Sequence, residues 1–206
     1  MPLFYQQHIN QHTQIAIWKI EEKEDFFLEK VVAQKEIANQ QKRLQHLAAR
    51  YLLQYLVPDF RFENVQISTS GKPFLIDGEC FSISHCQNFA AVIISSQKNV
   101  AIDIEINNDK VLKILHKFLQ EDEIIKMNEI VVNKDFQQLP TLIWSAKETM
   151  FKWYGDGNVD FKTMLKIDFN SITHNKFSSL LITKEKQIPL DIYYKIFNEI
   201  CLTYIA

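Results

Sequence analysis

Three carboxylates and one lysine have the types and spacing to do chemistry. Two of the acids, Asp103 and Glu105, lie in Val100-Ala-Ile-Asp-Ile-Glu-Ile106, where they alternate with Ile102, Ile104 and Ile106. A period of two is that of a strand, and it sends both carboxylates off one face, about 6.6 Å apart along the chain. Side by side they repel unless they are well solvated or share a cation. The third acid, Glu148, sits in Trp144-Ser-Ala-Lys-Glu-Thr-Met-Phe-Lys152, where Leu142, Ile143, Ala146, Met150 and Phe151 keep helical spacing. Lys152 follows Glu148 by four residues and so shares its face, one turn on. Taken alone, this pair reads as a surface ion pair worth about 0.3–0.5 kcal/mol, and the strand as half-buried with a wet polar face. Together they form an oxygen-rich set suited to a hard divalent ion. Mg²⁺ takes one or two carboxylates and completes its shell with water and substrate phosphates, so the expected chemistry is that of phosphate.

The elements that must position these residues are short and alternate in type. Residues 13–20 read as a first strand, 21–33 as a helix with acids in its first turns, and 36–56 as a longer helix ended by Pro58. Leu44, Leu47, Ala48, Tyr51, Leu52 and Tyr55 form the apolar stripe of that longer helix, flanked by Arg43 and Arg50. Short β elements follow at 65–68, 74–76 and 80–84, with turns expected at Ser70-Gly-Lys-Pro73 and Asp77-Gly78. The apolar run 89–96 is a buried strand, expected to pair with 100–106 across Gln97-Lys-Asn99. Helices are expected at 110–119, with Val111, Leu112, Leu115 and Phe118 buried, and at 120–129, whose charge run reads as a solvated face. The helix from 136 ends at Gly155-Asp-Gly157. Four strands close the chain, at 165–169, 177–183, 188–197 and 200–204. The sequence alone gives the class α+β.

Composition narrows the function further. The chain has 206 residues, 47% hydrophobic and 23% charged, with 4 Gly and 5 Pro; this is a globular composition without long flexible linkers. A net charge of −2 offers no electrostatic argument for nucleic acid or an anionic membrane as partner. No apolar run approaches the roughly 20 residues of a membrane helix. Met1-Pro-Leu-Phe-Tyr5 lacks the basic and apolar segments of a secretory leader. Cys80, Cys86 and Cys201 match no zinc spacing, and an odd, sparse set of thiols suits a reducing compartment. A cytoplasmic protein is expected.

Ile102-Asp-Ile-Glu105, followed about forty residues later by Trp144 to Lys152, resembles the two signature motifs of the 4′-phosphopantetheinyl transferases. Gly71-Lys-Pro73 and Phe81-Ser-Ile-Ser-His85 agree in order and spacing, so the resemblance runs from about Arg50 to Gly157. It implies the monomeric, two-lobed type of that family, with two similar α/β lobes in a pseudo-twofold arrangement. On that basis residues 1–99 would form a lobe contacting the nucleotide end of coenzyme A, and 100–206 a lobe with the metal site and signature helix. The resemblance also assigns roles. Arg50 would hold the 3′-phosphate of coenzyme A, with Arg43 a neighbour able to help, and Lys72 would be a further phosphate contact. Ser84 and His85 would face the pyrophosphate, the imidazole donating to an oxygen. Asp103, Glu105 and Glu148 would bind Mg²⁺ (or Mn²⁺), and Lys152 would offset phosphate charge. Lys147 would touch a phosphate or solvent, and Glu148 is the leading general base.

The implied reaction moves the 4′-phosphopantetheine arm of coenzyme A to a serine of an apo acyl or peptidyl carrier protein, releasing 3′,5′-ADP. The alternative is a non-catalytic module that binds coenzyme A or a carrier protein, which would not need the full metal set. Two departures from the pattern stand out: Ala101 where the family usually has glycine, and Asn158 where it has an apolar residue after the second glycine.

Overall fold

A computed structural model describes residues 2–31, 37–76 and 78–206. The chain forms two compact units, one running to Ile104 with Ala206, the other spanning Glu105–Ile205. Both are α+β. Among the described residues no helix is long and apolar enough to cross a membrane.

In the first unit, strands β1 (Leu3–Asn10), β2 (Thr13–Lys19), β5 (Cys80–Cys86) and β6 (Phe89–Ser95) form an antiparallel sheet in the order β1-β2-β6-β5. Strand β1 is an edge whose glutamines, histidine and asparagine hide its period, and the sequence reading passes over it. Strand β6 is buried at all seven positions, as its unbroken apolar run demands. Two helices, α1 (Glu24–Leu28) and α2 (Gln40–Leu56), belong to this unit, as does the two-stranded ribbon of β3 (Val65–Ile67) and β4 (Pro73–Leu75). Helix α1 is shorter than the expected 21–33, and residues 32–36 lie outside the described ones. Asn39 caps α2 by accepting from the Lys42 amide (3.0 Å), and Leu47, Ala48, Leu52 and Leu53 of α2 join Ala16, Ala90 and Val92 of the sheet in one core.

One expected turn is found and one expected pairing is corrected. The ribbon turns at Gly71, whose φ of +85° needs a residue without Cβ, so β4 returns onto β3; Asp77 of the other expected turn lies outside the described residues. Strand β6 does not pair with β7 (Ala101–Ile106), because β2 and β5 already occupy both its edges. Its hairpin is with β5, closed by Gln87-Asn88, with Gln87 left-handed at φ 43°. No Gly or Asp-Gly marks that turn; the Gln45 side chain holds it by donating to the Gln87 carbonyl (2.7 Å).

The second unit carries four whole strands of the sheet β7-β11-β10-β9-β8, namely β8 (Leu165–Ile167), β9 (Lys176–Ile182), β10 (Gln187–Ile196) and β11 (Ile200–Ile205). These four strands fall close to their expected positions. The stretch expected as a helix at 110–119 is a 3-10 segment, Asp109–Ile114, followed by the four-residue α3 (Leu115–Phe118), and Leu112 is exposed rather than buried. Helix α4 (Glu121–Lys134) starts with a capping box, Gln120 with Glu123. Helix α5 (Leu139–Tyr154) has Pro140 in its first turn and Gly155, at φ 76°, as its left-handed cap.

Helix α5 is the spine of this unit. Leu139, Leu142, Ile143, Ala146 and Met150 are fully buried in its core. Hydroxyls hold its other side: Thr203 of β11 bonds both Thr149 (2.6 Å) and Ser145 (2.9 Å). Thr203→Val keeps the shape and strips both partners of a bond, so it should cost about 2 kcal/mol, read as a lower urea midpoint with an unchanged m-value.

Candidate active site

The acidic strand is held to β5 by serines. Ser82 and Ser84, both buried, accept from the amides of Ile102 and Ile104 (3.3 Å each). The Ser84 hydroxyl then donates to Asp103 Oδ1 at 2.8 Å. Asp103 is only 3% exposed, so its charge has to be met by hydrogen bonds or a cation. The period of two that buries Ser84 leaves His85 exposed on the other face of β5. The two side chains thus leave opposite faces of β5, Ser84 toward Asp103 and His85 outward.

Glu105 is tied to the signature helix. The Trp144 indole N–H donates to Glu105 Oε1 at 2.8 Å. Trp144 is itself fixed edge-to-face on Phe118 (5.0 Å between centroids) and stacked on Phe161 (5.8 Å). Trp144, Glu148 and Lys152 succeed one another at four-residue steps, hence along one face of α5, and Glu148 and Lys152 are both half-buried. The second unit therefore brings Glu105 onto the face of α5 that carries Glu148. The serine and indole donors are neutral, so they orient carboxylates without cancelling their charge. The carboxylates themselves offer hard oxygen ligands, which fit Mg²⁺. Among the described residues no three His, Cys, Asp or Glu side chains are already gathered as a ligand cage. The sequence pointed to the acids and missed their holders; a tryptophan one turn before Glu148 was the signal available for one of them.

The basic residues divide. Arg50 is 7% exposed, with its Nε donating to His46 Nε2 (2.9 Å) and its guanidinium over the Phe62 ring (4.7 Å); burial draws its pKa down. It is not the solvated arginine that the helix pattern alone suggests. Arg43 is committed elsewhere: it forks onto Glu24 (2.5 and 2.9 Å) and donates to the Ile37 carbonyl (2.7 Å). Lys72 is half-buried on the ribbon turn, near Asn99 Oδ1 (3.5 Å), and burial lowers its pKa.

A sequence model of the 4′-phosphopantetheinyl transferase superfamily matches residues 99–205, a stretch that includes the acidic strand, Trp144, Glu148 and Lys152. The chain belongs to this superfamily. It is also similar to the L-aminoadipate-semialdehyde dehydrogenase-phosphopantetheinyl transferase of Candida glabrata, with 33% identity over 122 residues. That alignment covers 55% of this chain and 45% of the relative, so the match spans less than half of the relative's length.

One lysine of the transferase motif departs from expectation. Lys147 meets neither phosphate nor solvent: it is fully buried, and its ammonium donates to the carbonyls of Phe118 (2.7 Å) and Phe161 (3.0 Å) and to Glu123 (3.3 Å). Glu123, expected on a solvated face, is buried too, accepting from the Gln120 amide (2.9 Å) with Lys166 at 3.7 Å. Burial pulls the Lys147 pKa from 10.5 down to about 8, against the opposing pull of Glu123.

Lys147→Met should destabilise by about 3 kcal/mol at neutral pH, because it leaves a buried carboxylate and two carbonyls short of a donor. Between about pH 8 and 10.5 the unfolded chain holds more protons at this site than the folded one, so this lysine makes stability rise with pH there. The methionine variant lacks that contribution, and the gap between the two proteins should widen across that window in urea titrations at stepped pH.

Proposed function

We propose that this transferase moves the 4′-phosphopantetheine group of coenzyme A to a serine of an apo acyl or peptidyl carrier protein, with Mg²⁺ (or Mn²⁺), as a cytoplasmic monomer. The observation that carries the reading is the Trp144–Glu105 hydrogen bond, which fixes a carboxylate of the acidic strand to the helix of Glu148 and Lys152. The odd, sparse set of cysteines supports the compartment.

Asp103, Glu105 and Glu148 would hold the cation, which when bound would neutralise pyrophosphate charge and favour departure of the nucleotide. The residues of the chain do the rest. Arg50 and Lys72 bind the phosphates at the nucleotide end, and the exposed His85 donates to a pyrophosphate oxygen. Ser84, expected as a direct contact, acts through Asp103 by fixing the orientation of its carboxylate. The serine oxygen of the carrier protein attacks the phosphorus that bears the pantetheine arm. A new P–O bond forms, the bond to the bridging oxygen breaks, and 3′,5′-ADP leaves with that electron pair. Glu148 takes the serine proton, and the Lys152 ammonium offsets the charge that builds on the departing nucleotide. Nucleotide recognition thus falls to residues before position 100, and the metal ligands and Lys152 come after it.

Intact-protein mass spectrometry of an apo carrier protein, incubated with the transferase, coenzyme A and Mg²⁺, should show a gain of one phosphopantetheine that EDTA abolishes. Glu148→Gln should lower the rate at least about 100-fold while calorimetric binding of coenzyme A persists. Binding without any transfer to fatty-acid, polyketide or peptide carriers would replace this reading with that of a binding module.

A further inference from the structure

Lys147 and Trp144 are three apart on α5, hence neighbours on its surface, and they grip the same two residues in different ways. The Lys147 ammonium takes hold of backbone. It donates to the carbonyl of Phe118 at the end of α3 (2.7 Å) and to that of Phe161 in the turn after α5 (3.0 Å). The Trp144 indole meets the side chains of those two residues, with Phe118 edge-to-face at 5.0 Å and Phe161 stacked at 5.8 Å and 26°. One ammonium thus fixes where both phenyl rings start, and the two rings fix the plane of the indole. The N–H of that indole donates to Glu105 Oε1 at 2.8 Å. A buried lysine and a carboxylate of the acidic strand are therefore joined through two carbonyls, two phenyl rings and one indole.

We propose that Lys147 is a positioning residue for cation binding: by anchoring the backbones of Phe118 and Phe161 it holds the Trp144 indole in the orientation that presents Glu105 to the metal. Glu105 is half-buried near the end of its strand, and a glutamate side chain has rotamer freedom to lose when it takes a cation. A bond from an indole N–H restricts that freedom in advance, but only as well as the indole is itself held. Contacts between rings are weakly directional. Charge-assisted bonds from one buried ammonium to two carbonyls are short and directional, and they turn two ring contacts into a fixed clamp. Residues behind a metal ligand commonly set its affinity in this way. The proposal rests on the reading of Glu105 as a ligand of the cation and deepens it: the lysine beside Glu148 serves the metal site through its framework, by way of Trp144.

The probe is Mn²⁺, titrated into the full chain with coenzyme A present and followed by the electron paramagnetic resonance signal of the unbound ion, against a blank of coenzyme A alone. Trp144→Phe, which keeps a ring and removes the N–H, should weaken Mn²⁺ binding about tenfold, the scale of a partner lost from behind a metal ligand. Lys147→Met should weaken it comparably at a temperature where that variant is folded. Phe161→Leu keeps the backbone carbonyl for Lys147 and removes the ring, so it should act in the same direction by a smaller factor. In the Trp144→Phe background neither change should weaken Mn²⁺ further, because the bond they support is already gone; a general loss of packing would add to the first loss. Additive losses, or an unchanged affinity in folded Lys147→Met or in Phe161→Leu, would overturn the proposal. Should Lys147→Met not fold, Phe161→Leu alone and in the Trp144→Phe background decides it. If Glu105→Gln itself leaves Mn²⁺ binding intact, the reading of Glu105 as a ligand fails first.

Discussion

The second unit depends on keeping α5 immersed in a core while three of its neighbouring residues carry charge. An apolar helix of this length packs readily; the difficulty lies in Lys147, Glu148 and Lys152. The chain treats them in two ways. Lys147 is taken fully inside and surrounded by acceptors: two carbonyls, one of them at the end of α3, and the carboxylate that also caps α4. A buried ammonium is tolerated only when so saturated, and saturation here locks three segments onto the helix. Glu148 and Lys152 stay half-buried, where charge can be kept for use. The hydroxyls of Ser145, Thr149 and Thr203 fix the rotation of the helix from the opposite side. Which charge is buried and which stays half open is decided by this rotation, since residues 147 and 148 differ by only a hundred degrees about the axis.

How much of this was legible in the sequence follows from the range of each interaction. Period and punctuation are local, so α2, α5 and the last four strands could be read from apolar spacing, Pro58 and Gly155. Pairing is not local. That β6 joins β2 and β5 rather than β7 depends on which edges are taken, and the turn at Gln87-Asn88 is held by a glutamine forty-two residues away. The same division runs through the site. The acids and Lys152 stand out because polar residues at those positions break an apolar pattern. Burial of Lys147 and Glu123 could not be read, because each looks like a surface charge until the other is placed beside it. Ser84 and Trp144 were visible as residues but not as partners of Asp103 and Glu105.

Those two partners bear on how carboxylates are made ready for a cation. A lysine or arginine beside Asp103 or Glu105 would orient it and also discharge it, competing with a metal for the same lone pairs. A serine hydroxyl and an indole N–H orient at far smaller electrostatic cost to the metal, because each uses one lone pair and brings no net charge. The aromatic setting of Trp144 adds stiffness: with Phe118 at its edge and Phe161 on its face, the indole cannot turn away without breaking two ring contacts.

The first unit solves the matching problem for a cation. An exposed arginine samples many rotamers, whereas Arg50, nearly buried, has its plane set by an imidazole and a phenyl ring. Burial lowers its pKa, yet arginine starts so far above neutrality that it remains charged. A lysine in that position would not have the same security. Lys147 shows why, since burial carries its ammonium to about 8. The distribution of cations follows from this difference. Arginine can be buried deeply and still keep its charge, whereas Lys72, on a turn, is left half open to water.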